Sequence, residues 1–144
     1  MKKNMKVEHQ IEIEASADKI WDALINPEKI KQYLYGTEAI SEWKSGSPII
    51  FQGTWEGKPY QDKGSILDFI PNKLFRYEYW SGFSGLEDKK ENYSEVTFEI
   101  SSQNNNSILK LKQQGFANEQ AQAHSLQGWK AVLRKIKEIV EHSS

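Results

Sequence analysis

Alternating hydrophobic and polar positions dominate the first two-thirds of the chain. Between Val7 and Ile13 every second residue is a Glu or Gln, and this period of two predicts a strand with one solvent-facing side. Six further segments have strand-like patterns and are separated by Gly, Pro and Asn. They are residues 37–43, 49–55, 63–70, 73–80, 94–101 and 108–114. Because short turns join antiparallel strands, we expect a seven-stranded antiparallel meander without long crossovers.

Two short helices are predicted between the first and second strands. Ser16 offers an N-cap, and the apolar stripe of Ile20, Trp21 and Leu24 is typical of a helix that ends by Asn26. The pair Asn26-Pro27 is a second start signal, since Pro is favoured at the first position of a helix.

A long helix is predicted at the end of the chain, from the cap Asn118 to about Glu141. Its apolar residues recur three and four positions apart, while its first turns are polar. At 1.5 Å per residue it would be roughly 35 Å long, enough to cross a sheet. Gly128 weakens this helix, so we expect a close approach of its backbone to a sheet aromatic or to a ligand. The stripe consists of Leu126, Trp129, Leu133, Ile136 and Val140.

These elements predict an α+β fold, in which one long helix lies across the concave face of a curved sheet and two short helices flank it. We expect residues 1–144 to form a single domain. Three strands supply the best inward-facing rows by their period of two. The rows are Phe75, Tyr77 and Tyr79; Val96, Phe98 and Ile100; and Leu109, Leu111 and Gln113.

Composition narrows the possible functions. With 19 Lys and Arg against 20 Asp and Glu, the formal charge is −1, which argues against nucleic acid and anionic membranes as partners. The chain has no Cys and no apolar run of about 18 residues, so we expect a cytoplasmic protein. Its 5 Trp, 6 Tyr and 6 Phe suit the wall of a pocket as well as a core.

Motifs for catalysis or cofactors are missing from the sequence. His9, His124 and His142 show no metal-ligand spacing, and the chain contains no nucleophile elbow, phosphate loop or dinucleotide fingerprint. We therefore predict no cofactor, no metal and no catalytic residue, and favour a protein that is not an enzyme. The long insertion 81–92 is either the rim of a site or a solvated hairpin tip.

Several ordered segments together carry a resemblance to known proteins: IWDALINPEKI at 20–30, GSILDFIPNKLFRY at 64–77, VTFEI at 96–100, Gly115-Phe116 and GWKAVL at 128–133. They resemble the START/Bet v 1-like (SRPBCC) superfamily, and most closely its branch related to the activator of Hsp90 ATPase. This resemblance implies a helix-grip fold with a hydrophobic cavity, used in the superfamily for lipid and hormone binding, polyketide cyclisation and co-chaperone work. Gln113 stands where the family often carries a His, which argues against acid–base chemistry there.

The favoured hypothesis is a protein that binds a small hydrophobic or aromatic ligand between the sheet and the long helix. A co-chaperone-like module with a chaperone partner and a cyclase-like or hydrolytic enzyme are the alternatives, and both monomer and homodimer stay open. His9 shares a face with Ile11, although a rim or core role is the favoured interpretation of this histidine. The predicted cavity residues are His9, Ile11, Phe75, Tyr77, Tyr79, Phe98, Leu111, Gln113, Ser125, Trp129 and Leu133.

Overall fold

Seven strands and three α-helices make up most of residues 1–142, the part of the chain that this computed structural model describes. Two single 3₁₀ turns, Gly82–Ser84 and Lys90–Asn92, lie in the insertion after the fifth strand. In chain order the elements are β1 Lys2–Ile13, α1 Ala17–Ile25, α2 Pro27–Tyr33, β2 Glu38–Ser41, β3 Pro48–Trp55, β4 Lys58–Ile70, β5 Leu74–Trp80, β6 Ser94–Gln103, β7 Asn106–Phe116 and α3 Glu119–Glu141.

The strands form one antiparallel sheet in the order β1-β7-β6-β5-β4-β3-β2. The predicted α+β helix-grip fold is confirmed, and β2 to β7 follow one another as hairpins. The expectation that no long crossover occurs is wrong for the first connection, because β1 pairs with β7 and lies at the edge opposite β2. The segment with α1 and α2 therefore carries the chain from one edge of the sheet to the other.

Two of the three predicted helix caps form as the sequence suggested. The Asn26 side chain accepts a 3.0 Å hydrogen bond from the backbone N–H of Glu28, and Asn118 accepts one of 2.8 Å from Ala121. Ser16 occupies the N-cap position of α1, but its hydroxyl makes no capping hydrogen bond.

Helix α3 is anchored by its C-terminal half. Its buried residues are Val132, Leu133, Ile136 and Val140, whereas Leu126 is 38% exposed despite its place in the apolar stripe. The polar first turns cannot bury apolar surface against the sheet. The helix thus closes one half of the concave face and leaves the other half open.

Aromatic rings fill the closed half. Phe75 stacks on Phe98 with ring centroids 6.3 Å apart, and Trp21 meets Phe75 edge-on at 6.2 Å. The pocket that Phe75 and Phe98 help to line has a volume of about 10 Å³, less than a water molecule occupies. This half of the grip is a packed core.

A β-bulge settles the orientation of Asp68, which lies in a strand with apolar residues on both sides. The register of β4 against β5 shifts between Ile66 and Asp68, so alternation breaks at that point. Asp68 consequently accepts a 2.6 Å hydrogen bond from Arg76, which also bonds to Glu95 at 3.2 Å. Both ion pairs are partly exposed.

Candidate functional site

The open half of the concave face contains a cavity with two connected lobes. The first, which we call the helix lobe, has a volume of about 720 Å³ and lies under the first turns of α3. The second, the aromatic lobe, has a volume of about 540 Å³ and lies over β3, β4 and β5. Both lobes are lined by Leu34, Tyr35, Tyr79, Phe83, His124 and Trp129.

Gln113 of β7 forms the boundary between the cavity and the packed core. Its amide nitrogen donates to the hydroxyls of Tyr79 at 3.1 Å and Ser94 at 2.8 Å. Its amide oxygen accepts from Ser125 at 2.9 Å and from the indole of Trp129 at 2.6 Å. An amide has two donors and two acceptor sites, so these four bonds use its full capacity.

Trp129 of α3 is held in a fixed position above the sheet. Besides its bond to Gln113, its ring meets Phe98 edge-on with centroids 5.7 Å apart. The side chain is only partly buried, because one part lies against both lobes. Trp129 therefore connects the core to the wall of the cavity.

Asp62 is a carboxyl group in the apolar surroundings of the aromatic lobe. Its Oδ1 atom is buried and has no hydrogen-bond partner among the described residues. Burial raises the pKa of Asp62 above its ordinary value of 3.8, and the nearby Ser81 hydroxyl partly opposes this change. Since a buried acceptor without a donor is costly, Asp62 is a site where a ligand donor would be stabilising.

Three aromatic side chains at the cavity are unusually exposed for their size: Tyr35 at 72%, Trp55 at 62% and Phe83 at 65%. Tyr35 has a φ of +52°, a left-handed conformation that disfavours a bulky side chain. Phe83 packs against Tyr60 with ring centroids 5.8 Å apart. These rings leave apolar surface uncovered inside a concave site.

The insertion 81–92 forms one rim of the cavity, with Phe83 lining both lobes. Lys63 forms an ion pair with Asp88, which also accepts a 2.8 Å hydrogen bond from the Tyr93 hydroxyl. The Trp80 indole donates to the carbonyl of Leu86 at 3.1 Å. Of the two interpretations of this insertion, the structure favours the rim.

The buried tyrosines of the cavity stay protonated near neutral pH. Burial raises the pKa of Tyr79 to about 12, although its bond to Gln113 works in the opposite direction. Burial also raises the pKa of Tyr77 well above its ordinary value of 10. Both phenols can therefore exchange hydrogen bonds with a ligand but do not serve as bases at neutral pH.

The predicted cavity residues separate into two groups in the structure. Tyr77, Tyr79, Gln113, Ser125 and Trp129 line the helix lobe or the aromatic lobe. The remaining apolar residues belong to the packed core or lie against it. These are Ile11, Phe75, Phe98, Leu111 and Leu133.

His9 lies at the seam between β1 and α3. Its Nε2 is 3.0 Å from the backbone carbonyl of Leu126, and because a carbonyl only accepts, this nitrogen carries the proton. The residue is half-buried and lies outside the lining of both lobes. The structure thus gives His9 a partner that ties the helix to the edge strand.

Sequence reasoning missed Asp62 because the predicted strand began at residue 63, whereas β4 begins at Lys58. The row Tyr60, Asp62, Gly64 and Ile66 has the period of two that would have placed Asp62 beside buried Ile66. Tyr35, in the turn after α2, carried no such signal, because turn residues lack periodicity.

Gly128 differs from expectation in one respect. A Cβ atom built on this residue would meet nothing within 4 Å, so the expected approach to a sheet aromatic does not occur. The residue lines the helix lobe. The other expected reason for a glycine here, a close approach to a ligand, stays a prediction.

A family model matches most of the chain. Residues 14–141 match the model described as "Activator of Hsp90 ATPase homolog 1-like protein". No curated protein sequence matches the chain. In the described part of the chain, none of the helices is long and apolar enough to cross a membrane.

Solved structures share the same fold. The solution structure of ChR145 from Cytophaga hutchinsonii is 36% identical, with a TM-score of 0.83 over 98% of this chain and 97% of that one. The solution structure of the Aha1 dimer from Colwellia psychrerythraea is 19% identical, with a TM-score of 0.75 over 95% and 96%. DynU16, described as a putative protein in the dynemicin biosynthetic locus, is 12% identical, with a TM-score of 0.79 over 96% and 48%.

Proposed function

The chain belongs to the activator of Hsp90 ATPase homolog 1-like family, and from this premise we propose that it binds a small, largely apolar ligand in the two-lobed cavity. The observation that carries the proposal is the exposed aromatic surface of Tyr35, Trp55 and Phe83 inside a concave site. Apolar pockets with a few placed polar groups are the usual form of small-molecule sites.

Three of the polar side chains around the cavity, those of Gln113, Tyr77 and Tyr79, support binding rather than catalysis. Gln113 has no free hydrogen-bonding capacity, and the pKa values of Tyr77 and Tyr79 are raised by burial. These residues hold the wall of the cavity in place and exchange no protons at neutral pH. A ligand that fills the lobes would be oriented by shape and by few polar contacts.

The direct test is a titration of the protein with a panel of planar aromatic molecules and lipids. Isothermal titration calorimetry measures the affinity, and native mass spectrometry measures the stoichiometry. Saturable binding of one class with a stoichiometry of one is the expected result. No binding across the panel would contradict the proposal.

A pair of variants locates the site. Phe83→Ser removes an exposed ring from both lobes and should weaken binding without loss of stability, since the side chain is 65% exposed. Ile70→Ser is the matched control, because Ile70 is 48% exposed and lies outside both lobes. Equal affinities of the two variants would place the ligand elsewhere.

A co-chaperone-like role is the second candidate, and the family match is the observation that favours it. The similar structure from Colwellia psychrerythraea is described as a dimer of Aha1. We expect weak or no stimulation when this chain is added to Hsp90 in an ATPase assay. Strong stimulation at equimolar protein would rank this role above ligand binding.

A further inference from the structure

Asp62 gives the aromatic lobe a carboxyl group that the described residues satisfy only in part, through the Ser81 hydroxyl. The residue lies in β4 opposite Phe51 of β3, and its Oδ1 atom is buried without a partner. A carboxylate only accepts hydrogen bonds, so only a donor can compensate its burial. A donor from a ligand would do so.

The aromatic lobe has a negatively charged lining residue and no Lys or Arg of the described residues to balance it. Asp62 is the only carboxyl group in its lining, and no Lys or Arg of residues 1–142 lines it. His124 of α3 is the one lining residue that can become cationic. A negative ligand would therefore meet an unpaired carboxylate in surroundings of low dielectric constant, which is unfavourable.

The aromatic rings that line the lobe with Asp62 also favour a cationic ligand. Trp55, Tyr60, Tyr77 and Phe83 line the lobe, and the faces of aromatic rings attract cations. Trp55 is 62% exposed, so its ring surface is accessible to a ligand. Rings and carboxylate thus favour the same type of molecule.

We propose that the aromatic lobe selects apolar, aromatic molecules that carry a protonated amine, with the ammonium group pairing with the Asp62 carboxylate and the apolar part lying against the rings. This inference rests on the proposed function and names the ligand class for the same cavity. Fatty acids and other apolar carboxylates are excluded as preferred ligands by the same charge argument.

The test compares three probes with one ring system: 1-naphthylmethylamine, 1-naphthalenemethanol and 1-naphthoic acid. Isothermal titration calorimetry at a single pH of 8 compares the affinities of the three probes. Roughly tenfold tighter binding of the amine than of the alcohol is expected for a charge-assisted hydrogen bond. The carboxylate should bind more weakly than the alcohol.

Asp62→Asn should reduce the preference for the amine over the alcohol to less than about twofold and improve binding of the carboxylate, because it removes the charge and keeps the shape. Glu87→Gln is the control, since it removes one exposed rim charge outside both lobes and should keep the preference. Thermal melts verify that both variants fold. The comparison of the three probes on the parent protein tests the proposal even if a variant fails to fold.

The outcomes separate this inference from the proposed function. Binding of the alcohol without a preference for the amine would overturn the inference and leave ligand binding intact. A preference that persists in Asp62→Asn would also overturn it. Failure of all three probes and of the wider panel would overturn both.

Discussion

The indole nitrogen of Trp129 donates a 2.6 Å hydrogen bond to the amide oxygen of Gln113. This bond joins α3 to β7 at the place where the packed half of the grip meets the open half. Trp129 touches Phe98 on the core side and lines both lobes on the other. The pair therefore sets how far the helix stands from the sheet and so how large the cavity is.

Trp129→Ala should lower the free energy of unfolding by about 2 to 3 kcal/mol, less than for a fully buried aromatic because the ring is partly exposed. Trp129→Phe should cost about 1 kcal/mol, since it keeps ring contacts and loses the hydrogen bond. Denaturant titrations measure both. Trp55→Ala, at a side chain that is 62% exposed, is the control and should change stability by less than about 0.5 kcal/mol.

Gln113→Leu should lower the free energy of unfolding by about 3 kcal/mol, because it leaves Tyr79, Ser94, Ser125 and Trp129 without their shared partner. Thermal or denaturant unfolding provides the measurement. Gln114→Leu is a matched control at the next residue, whose side chain makes one exposed bond to the carbonyl of Lys3. If both variants lowered the free energy of unfolding equally, the four hydrogen bonds of Gln113 would contribute no more to stability than the single bond of Gln114.

Gly128→Ala should raise the free energy of unfolding by about 0.5 to 1 kcal/mol, because Ala favours a helix and the new Cβ meets no neighbouring atom. The same methyl group narrows the helix lobe and should weaken binding of a ligand that occupies it. Opposite changes in melting temperature and affinity are the expected result.

A second glycine gives the contrast for this prediction. At Gly64 a Cβ would lie 1.7 Å from the carbonyl oxygen of Glu78, so Gly64→Ala should destabilise the sheet. If Gly128→Ala destabilised the protein in the same way, the conclusion that a Cβ at residue 128 has free space around it would be wrong.

Asp62→Asn should melt at a higher temperature than the parent near neutral pH. Burial raises the pKa of Asp62, so the folded state holds the proton more tightly than the unfolded state does. This tighter proton binding contributes to the stability of the folded state. The contribution is fully present below the ordinary pKa of 3.8 and is lost as the pH rises through the pKa of the folded state. Asn has no charge to desolvate at any pH.

The gain in melting temperature from Asp62→Asn should therefore shrink as the pH falls towards 3.8. Thermal melts of both proteins between pH 3.5 and pH 8 give the measurement. If the difference in melting temperature stayed constant across this range, the charge of Asp62 would not be the cause of the stability difference.

Local features of this protein could be predicted from the sequence because they depend on neighbouring residues. Asn26 and Asn118 cap their helices as expected. The turn at Glu56 and Gly57 has positive φ at both residues, as a tight hairpin requires. Alternation also predicted the inward face of β5, β6 and β7, because a side-chain period of two fixes the face of a strand. Most of these rows lie in the core, and Tyr79 and Gln113 line the cavity.

Tertiary structure decided the position of β1 and the composition of the site. The β1 strand joins β7 through pairs that lie about a hundred residues apart, such as Val7 with Gln113, and no local pattern encodes that choice. Asp62 entered the cavity because β4 starts five residues earlier than its apolar pattern does.

The sequence by itself thus determined the type and order of the main elements, two of the three helix caps and the inward side of β5, β6 and β7. Only the tertiary structure decided that half of the concave face is filled and half is open. The physical reason is that the largely polar first half of α3 buries little apolar surface on the sheet, since its buried residues begin only at Val132. It approaches the sheet through the hydrogen bonds of Ser125 and Trp129 to Gln113, and the space beside these bonds becomes the cavity.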